Sequence, residues 1–349
     1  MRPTLAAVAA LLLVRPAASQ TPTLRLAAVE LPASLATLPF RAAPILLVHR
    51  SGCLVMVDAD AKQVVCVKPT SGQAVRQGAK GSGPGEYRDL RSIALSNAGG
   101  LAVYDPANAR ITIIRPDWTV GSTIRLMSGF EQLIRVAGDT IVAVQAVRPW
   151  YVGVIDRQSG TFTARFTPAP TDSNGLVEDP HSGDWSAWVL ATSGGGALVA
   201  SAWRYRLSRF DARGHLVTVM QRAIPPELPS KAEVAQRRAQ MLKMNAGLPA
   251  EKQGRLMQLV DEYAKAAKPF APAAPAVDRD GRVWVVTPRV RDDSTELDVF
   301  SRAGVFTATV RVPGTIEAIA FEGDRLYVLG EQLGGEHEGE QGVRAFREH

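Results

Sequence analysis

Short apolar runs rich in β-branched residues recur along this chain at a spacing of roughly 40–50 residues, the period of propeller blades rather than of helical repeats. Each unit consists of predicted strands separated by polar turns that contain Gly, Asp or Asn. The pattern predicts an all-β, six-bladed β-propeller with four-stranded antiparallel blades over residues 20–349; seven blades is the main alternative. The six units lie at residues 45–76, 91–126, 132–166, 185–220, 275–313 and 315–347.

The last of these units, residues 315–347, contains one predicted strand fewer than the others. Residues 23–30 form a short apolar run that could supply the missing outer strand. Such a closure matters because an open propeller leaves the edge of one blade without a partner. We therefore expect the N-terminal segment to pair with the C-terminal unit.

The first 19 residues have the layout of a secretory signal peptide. Arg2 is followed by ten apolar residues at positions 5–14, and the small residues 17–19 offer a cleavage site. The apolar stretch is too short to span a bilayer, which needs about 20 residues. The pattern predicts an exported protein, periplasmic or secreted, with no transmembrane segment in the mature chain. A retained N-terminal anchor is the alternative.

Composition and charge argue against disorder and against a nucleic-acid partner. Hydrophobic residues make up 46% of the chain, which is ample for a core. The formal net charge is +6, and residues 230–268 alone contain eight Lys or Arg against four Asp or Glu. Because no basic tract with interleaved aromatic residues is present, this charge indicates a solvated cationic segment.

Cys53 and Cys66 flank a predicted hairpin. The apolar runs 53–58 and 61–66 enclose residues 59–60, which have the length of a two-residue turn. In that register the cysteines face each other as a non-hydrogen-bonded pair, with Cα atoms about 4.5 Å apart and within reach of a disulfide. For an exported protein this pattern predicts a Cys53–Cys66 disulfide; two buried free thiols are the alternative.

One segment between the fourth and fifth units has helical rather than strand character. Ser230 and Glu233 form a capping box, which predicts a helix running to about Asn245. Pro249 then marks the start of a second helix. Pro-rich borders delimit a helical insertion within the propeller at residues 226–270. The apolar face of the second helix is predicted to contain Leu256, Val260, Tyr263 and Ala267.

Four stretches of the sequence carry a family resemblance. They are Gly81-Ser-Gly-Pro-Gly-Glu-Tyr87, Asp105-x-x-Asn108-x-Arg110, residues 277–285 and residues 297–304. On these motifs the chain resembles the exported bacterial six-bladed β-propellers related to NHL-repeat proteins. The resemblance covers nearly all of the mature chain, although the third and fourth units lack the Asp-x-x-Asn turn. It implies the propeller fold, a Pro-bordered helical insertion and export, but no particular reaction, because the family has no general activity.

The first of these motifs is predicted to be a tight turn rather than a phosphate-binding loop. Gly83, Pro84, Gly85 and Glu86 fit a type II turn, with proline second and glycine third. A phosphate-binding loop needs successive backbone amides ahead of a helix. Here Pro84 removes one amide and a predicted strand follows, so we interpret the loop as structural.

The second motif, Asp105, Asn108 and Arg110, contains side-chain oxygens that could suggest a calcium site. Its spacing fits an Asx-type turn between two strands better, with side-chain oxygens capping backbone amides. The five histidines are too widely separated for zinc-ligand spacing. We therefore assign no metal ligand and no catalytic residue, and the sequence requires no cofactor.

Aromatic and arginine residues concentrate in the third and fourth units. The candidate ligand-binding residues are Arg148, Trp150, Tyr151, Trp203, Arg204 and Tyr205. Such side chains suit sugars, peptides or anionic ligands. The alternative is that the aromatic rings pack between neighbouring blades.

These observations lead to two hypotheses for function. The first is a non-catalytic, exported scaffold that binds an unidentified protein, small molecule or glycan at one mouth of the ring. The second is a lyase or lactonase that needs a divalent cation in the propeller channel. Similar propellers include a metal-dependent lyase and calcium lactonases, but their ligand sets do not map onto this sequence residue by residue.

Overall fold

The computed structural model describes most of the chain. The described residues are 24–96, 99–126, 134–137, 140–145, 151–155, 159, 161–166, 187–191, 196–201, 205–247, 249–266, 268, 270, 272–332 and 339–348. The predicted signal peptide, residues 1–19, lies outside these ranges. Strands and helices are numbered in chain order.

The N-terminal half of the chain forms three successive four-stranded antiparallel sheets. Strand β1 (Leu26–Val29) and the short helix α1 (Ala33–Ala36) precede them. The first sheet consists of β2–β5, at Leu47–Val48, Leu54–Asp58, Gln63–Val67 and Ala74–Gln77. A short parallel pair, β6 and β7, follows at Ala79–Lys80 and Glu86–Tyr87. The second sheet consists of β8–β11, at Ser92–Leu95, Leu101–Asp105, Arg110–Ile114 and Val120–Arg125. The third consists of β12–β15, at Ile134–Ala137, Thr140–Gln145, Tyr151–Ile155 and Phe162–Phe166.

The C-terminal half repeats this arrangement around a pair of helices. The fourth sheet consists of β16–β19, at Ala187–Ala191, Ala197–Ser201, Arg206–Phe210 and Leu216–Gln221. Helices α2 (Lys231–Met244) and α3 (Ala250–Tyr263) come next. The fifth sheet consists of β20–β23, at Ala276–Val277, Val283–Arg291, Ser294–Phe300 and Phe306–Pro313. The sixth contains β24–β26, at Ala318–Glu322, Arg325–Glu331 and Gln341–Glu348.

The predicted closure by the N-terminal segment is confirmed. Strand β1 pairs with β26 in antiparallel register, with Ala28 opposite Phe346, and becomes the outer strand of the sixth sheet. In the same sheet β24 contacts β2 of the first sheet and β20 of the fifth. The protein is thus an all-β propeller with four-stranded antiparallel blades, and the first and last described strands lie in one sheet.

The first, second, fifth and sixth sheets are each buried on both faces by apolar clusters that they share with neighbouring sheets. Along β26, Val343 and Ala345 pack toward the first sheet, whereas Phe346 packs toward the fifth. Every residue of Leu54–Asp58 in β3 is buried for the same reason. Strands buried on both faces are continuous apolar runs rather than alternating ones, which is why the units are visible in the sequence.

The predicted helical hairpin is present between the fourth and fifth sheets. The Ser230 hydroxyl accepts a hydrogen bond from the Glu233 amide, and the Glu233 carboxylate accepts one from the Ser230 amide. This confirms the capping box. Helix α2 ends at Met244 with Asn245 as its C-cap, and α3 begins directly after Pro249.

The predicted disulfide is confirmed, but the predicted register of its hairpin is wrong. Cys53 and Cys66 are bonded, with Cα atoms 5.6 Å apart. Val55, not Cys53, lies opposite Cys66, because the strands end at Asp58 and begin again at Gln63. The turn therefore contains four residues rather than two, and the disulfide runs diagonally across the hairpin.

Reduction of the disulfide should destabilise the protein without abolishing the fold. A disulfide that closes a loop of this size typically contributes about 2–4 kcal/mol to the free energy of unfolding. Urea unfolding of oxidised and reduced protein should show a loss of that order. A Cys53→Ser/Cys66→Ser variant is the control, since reductant should leave its midpoint unchanged. An equal midpoint for the oxidised and reduced protein would contradict the prediction.

Candidate functional site

Most of the predicted ligand-binding residues lie outside the described part of the chain. Arg148, Trp150, Trp203 and Arg204 fall in undescribed segments. Tyr151 begins β14, where its backbone is opposite Gln145; its side chain is not among those described. Of the six predicted residues, Tyr205 alone has a described side chain, and that side chain is buried just before β18.

Tyr205 leads to a buried charged cluster between the fourth and fifth sheets. Its hydroxyl donates a 2.5 Å hydrogen bond to Asp298 Oδ2, in β22. The Asp298 side chain is completely buried. It also accepts hydrogen bonds from Thr309 Oγ1 at 2.7 Å, from Arg289 at 2.9 Å and, through both oxygens, from Arg222 at 2.7 Å. We call these five residues the Asp298 cluster.

The electrostatics of the Asp298 cluster favour a fixed carboxylate over a proton-transfer group. Burial alone would raise the pKa of Asp298, but the hydrogen bond from Tyr205 and the positive charge of Arg289 bring that pKa below its ordinary value. Burial and the charge of Asp298 raise the pKa of Tyr205 well above 10. Asp298 therefore stays ionised and Tyr205 neutral at physiological pH. With both oxygens hydrogen-bonded, the carboxylate serves as a structural anchor.

The Asp298 cluster holds the base of the helical hairpin. Arg222 directly follows β19 on the chain segment that leads to α2, and its guanidinium lies 3.9 Å from the Phe306 ring centroid. On the returning segment, the Phe270 ring packs on Tyr205 with centroids 5.8 Å apart. Ile224 and Phe270 both pack into the apolar core between the fourth and fifth sheets. The entry and exit of the hairpin are thus anchored in the propeller itself.

A second set of contacts joins the entry and exit segments near the surface. The Lys268 amide donates to the Glu227 carbonyl at 2.7 Å, and the Lys268 ammonium lies 2.7 Å from Glu233. Arg291, at the end of β21, forms a 3.0 Å ion pair with Glu227. These contacts fix the direction in which the hairpin leaves the ring.

Beyond its base the hairpin packs mainly on itself. Arg238 in α2 pairs with Asp261 in α3 at 2.6 Å, and the Arg237 guanidinium lies 4.5 Å from the centre of the Tyr263 ring. Among the described side chains of the two helices, that of Val260 alone is fully buried. Three leucines in and next to the helices are exposed: Leu228, Leu242 and Leu259. The hairpin therefore presents cationic helices with apolar spots to the solvent.

The two turn motifs of the family resemblance, at residues 81–87 and 105–110, are hydrogen-bonded to each other. This contact was not predicted from the sequence. The Arg110 guanidinium donates to the carbonyls of Ser82, Gly83 and Glu86 at 3.0, 2.8 and 2.6 Å. The amide of Glu86 donates to the Gly83 carbonyl and Gly85 has a φ of 73°, as in a type II turn. The connection between the first two sheets is thus held by a side chain of the second.

Asp105 stabilises the same connection between the first two sheets through its carboxylate. Its carboxylate is fully buried and accepts hydrogen bonds from the amides of Arg88, Asp89 and Asn108 and from the Asn108 side chain. Asn108 also donates to the Gly81 carbonyl at 3.1 Å. Because N–H donors surround the Asp105 oxygens, this arrangement suits a turn better than a cation site.

The described ranges contain neither a metal-binding cluster nor a membrane-spanning helix. In the described ranges no group of three or more His, Cys, Asp or Glu side chains is arranged to hold a metal ion. Within the same ranges no helix is long and apolar enough to cross a bilayer.

Comparison with known proteins shows the fold. No family model and no curated protein matches the sequence. Among solved structures, a DUF4221-family protein from Bacteroides vulgatus is 10% identical with a TM-score of 0.55, covering 94% of this chain and 97% of its own. An exported protein from Bacteroides fragilis is 13% identical with a TM-score of 0.53, covering 93% and 95%. A gluconolactonase from Xanthomonas campestris is 13% identical with a TM-score of 0.52, covering 90% and 89%. At these identities the likeness extends to the β-propeller fold alone.

Proposed function

We propose that this protein is an exported, six-bladed β-propeller that acts as a binding scaffold and receives an acidic protein partner on its helical hairpin. One observation carries the proposal: the hairpin is rigidly anchored at its base but leaves its cationic helices exposed. If the helical hairpin had only a structural role, its helices would be expected to bury an apolar face against the blades. A fixed cationic surface with exposed leucines suits a protein that offers carboxylates and a small apolar patch.

Several features support the closed six-bladed ring and the relation to NHL-type propellers. Six four-stranded sheets are present among the described strands, and the sheet that contains both β1 and β26 contacts the first and the fifth. The two turn motifs of the resemblance are hydrogen-bonded to each other at the junction between the first and second sheets. Export is supported by the signal-like residues 1–19 and by the Cys53–Cys66 disulfide.

The test compares two matched charge-reversal variants. Lys252→Glu/Arg255→Glu changes exposed residues of α3, whereas Arg213→Glu/Arg302→Glu makes the same change in turns at the opposite end of the ring. Partner capture from the exported protein fraction, followed by affinity measurement with the purified partner, should show at least a tenfold loss for the first variant alone. Affinity should also fall as salt rises, since exposed charges are screened. Equal losses in both variants, or none in the first, would remove the hairpin as the binding surface.

A divalent-cation-dependent lyase or lactonase remains the second candidate. Glu317, next to the first strand of the sixth sheet, is the observation in its favour, because burial raises the pKa of this carboxyl, as in carboxyls that transfer protons at enzyme sites. Metal analysis of purified protein separates the two candidates. A stoichiometric bound calcium or zinc, lost with a lactonase or lyase activity on chelation, would favour the enzyme.

A further inference from the structure

A cleft of about 340 Å³ lies between the fifth and sixth sheets, at the end of the ring opposite the helical hairpin. Its walls come from the turn at 278–282, between β20 and β21, and the turn at 323–324, between β24 and β25. The hairpin instead joins the start of β20, and successive strands run in opposite directions. The cleft is therefore independent of the surface in the proposed function.

The floor of the cleft is apolar. Leu26 from β1 and Leu326 from β25 line it, together with the ring of Phe321. Phe321 is half-buried and packs on the fully buried Trp284, with ring centroids 5.1 Å apart. The underlying tryptophan is itself fixed, because its indole N–H donates to Asp278 Oδ2 at 2.9 Å. The phenyl ring therefore forms a supported surface that a ligand can reach.

One wall of the cleft is a built ionic network. Arg282 donates to Asp278 Oδ2 at 2.6 Å and to both oxygens of Glu348 at 3.1 and 2.5 Å. The remaining Asp278 oxygen accepts the amides of Asp280 and Arg282. Two carboxylates thus share one guanidinium. Over the whole lining, four carboxylates stand against the two guanidiniums of Arg279 and Arg282, a net charge of −2. These mutual contacts leave the wall rigid and electronegative.

The rim adds two further carboxylates, of which Asp280 forms only long ion-pair contacts. Asp280 is exposed, and its nearest ion-pair contacts, to Arg279 and Arg282, are both 3.8 Å long. Asp324, on the opposite rim, forms a 2.9 Å ion pair with Arg347 at the surface. Asp280 can therefore turn toward a ligand without breaking a short hydrogen bond.

We propose that this cleft binds a small organic cation that carries an apolar group, with an aryl-alkyl primary amine as its simplest representative. The apolar body would lie on Leu26, Leu326 and the Phe321 ring, where it loses contact with water. The ammonium would face Asp280 and the negative wall, and the Phe321 ring face adds attraction for a cation. A cleft of this volume is in the range that holds a small ligand.

The experiment titrates the full-length mature protein with 2-phenylethylamine and follows heat and ligand-observed NMR. We expect a dissociation constant of about 1 mM or tighter, as for other ligands of this size. The anion 3-phenylpropionate, which has the same phenylethyl group, and the small amine ethylamine are expected to bind at least about tenfold more weakly, since each lacks one of the two required features. Equal binding of the anion, or no measurable binding of the amine, would overturn the proposal.

Substitutions of residues that line the cleft test whether the amine binds there. Asp280→Asn should weaken 2-phenylethylamine binding about fivefold, the loss expected for one exposed charge contact. Phe321→Leu should weaken it further while keeping an apolar floor, and thermal melting checks that the blades remain folded. Asp293→Asn, in the exposed β21–β22 turn, is the matched control and should bind as the wild type does. An unchanged affinity for Asp280→Asn with folded protein would also overturn the proposal.

Discussion

Replacing Asp298 by Asn should lower the free energy of unfolding by about 3–5 kcal/mol, although the two side chains have nearly the same shape. The variant would leave Arg222 and Arg289, with exposures of 21% and 14%, beside a neutral amide. A carboxylate that accepts several hydrogen bonds through two oxygens cannot be replaced by a group with one oxygen and one NH2. Urea unfolding followed by circular dichroism measures the change.

The control for this variant is a carboxylate–arginine pair that is exposed. Asp261 bonds to Arg238 on the surface of the hairpin, and Asp261→Asn should change the free energy of unfolding by less than about 1 kcal/mol. Tyr205→Phe should fall between the two, because it removes one hydrogen bond to a charged group, worth about 1.5–3 kcal/mol. If Asp298→Asn were as mild as Asp261→Asn, the Asp298 cluster would not anchor the hairpin.

The lowered pKa of Asp298 predicts a pH dependence of the same effect. The unfolded carboxyl titrates near pH 3.9, and the folded one titrates below its ordinary value. Its contribution to stability is therefore fully present above about pH 4 and disappears as the pH falls through the folded pKa. The difference in stability between wild type and Asp298→Asn should therefore be constant from about pH 5 to 7. It should shrink progressively in more acidic solution.

The blades and their closure could be predicted because burial on both faces leaves a local signature. A strand such as Leu101–Asp105 must be apolar at nearly every position, and its turns must contain residues that tolerate tight backbone geometry. The helical hairpin was visible for a similar reason, since a capping box and Pro249 are local signals. Each of these features is determined by residues that lie close together in the sequence.

The hairpin register could not be predicted, because it depends on how many residues the turn uses. Residues 59–60 alone suggested a two-residue turn, but Asp58 Oδ1 accepts the amides of Asp60 and Ala61 and supports a longer one. Lys62 then takes a positive φ of 56° before the second strand begins. Cys53 and Cys66 remain close across the observed register, with Cα atoms 5.6 Å apart, which is why the predicted disulfide was right although the predicted pairing was wrong.

The Asp298 cluster was missed for a different reason. Arg222 and Asp298 are 76 residues apart and meet only because consecutive sheets stack. One signal was available: an aspartate stands among the apolar residues of Leu297–Phe300, and a charge in a buried strand requires partners. Those partners could not be named without the fold.

Asp105→Ala is the second large effect that we expect, at about 3 kcal/mol or more of lost unfolding free energy. The change would leave the buried amides of Arg88, Asp89 and Asn108 without their acceptor, and each unsatisfied buried donor costs about 1–3 kcal/mol. The Asn108 side chain would lose its 2.6 Å contact as well. Because these groups connect two sheets, the loss should appear in global unfolding rather than in local fraying.

Asp117→Ala is the matched control. The Asp117 carboxylate likewise accepts a hydrogen bond from a backbone amide, that of Thr119, but it does so in an exposed turn. Water can replace that acceptor, so the change in its unfolding midpoint should be much smaller. The same experiment separates the turn from a calcium site: calcium or chelator should leave the wild-type midpoint unchanged, because N–H donors already occupy the Asp105 oxygens. A rise of the midpoint with calcium that Asp105→Ala abolishes would show that this carboxylate binds a cation instead.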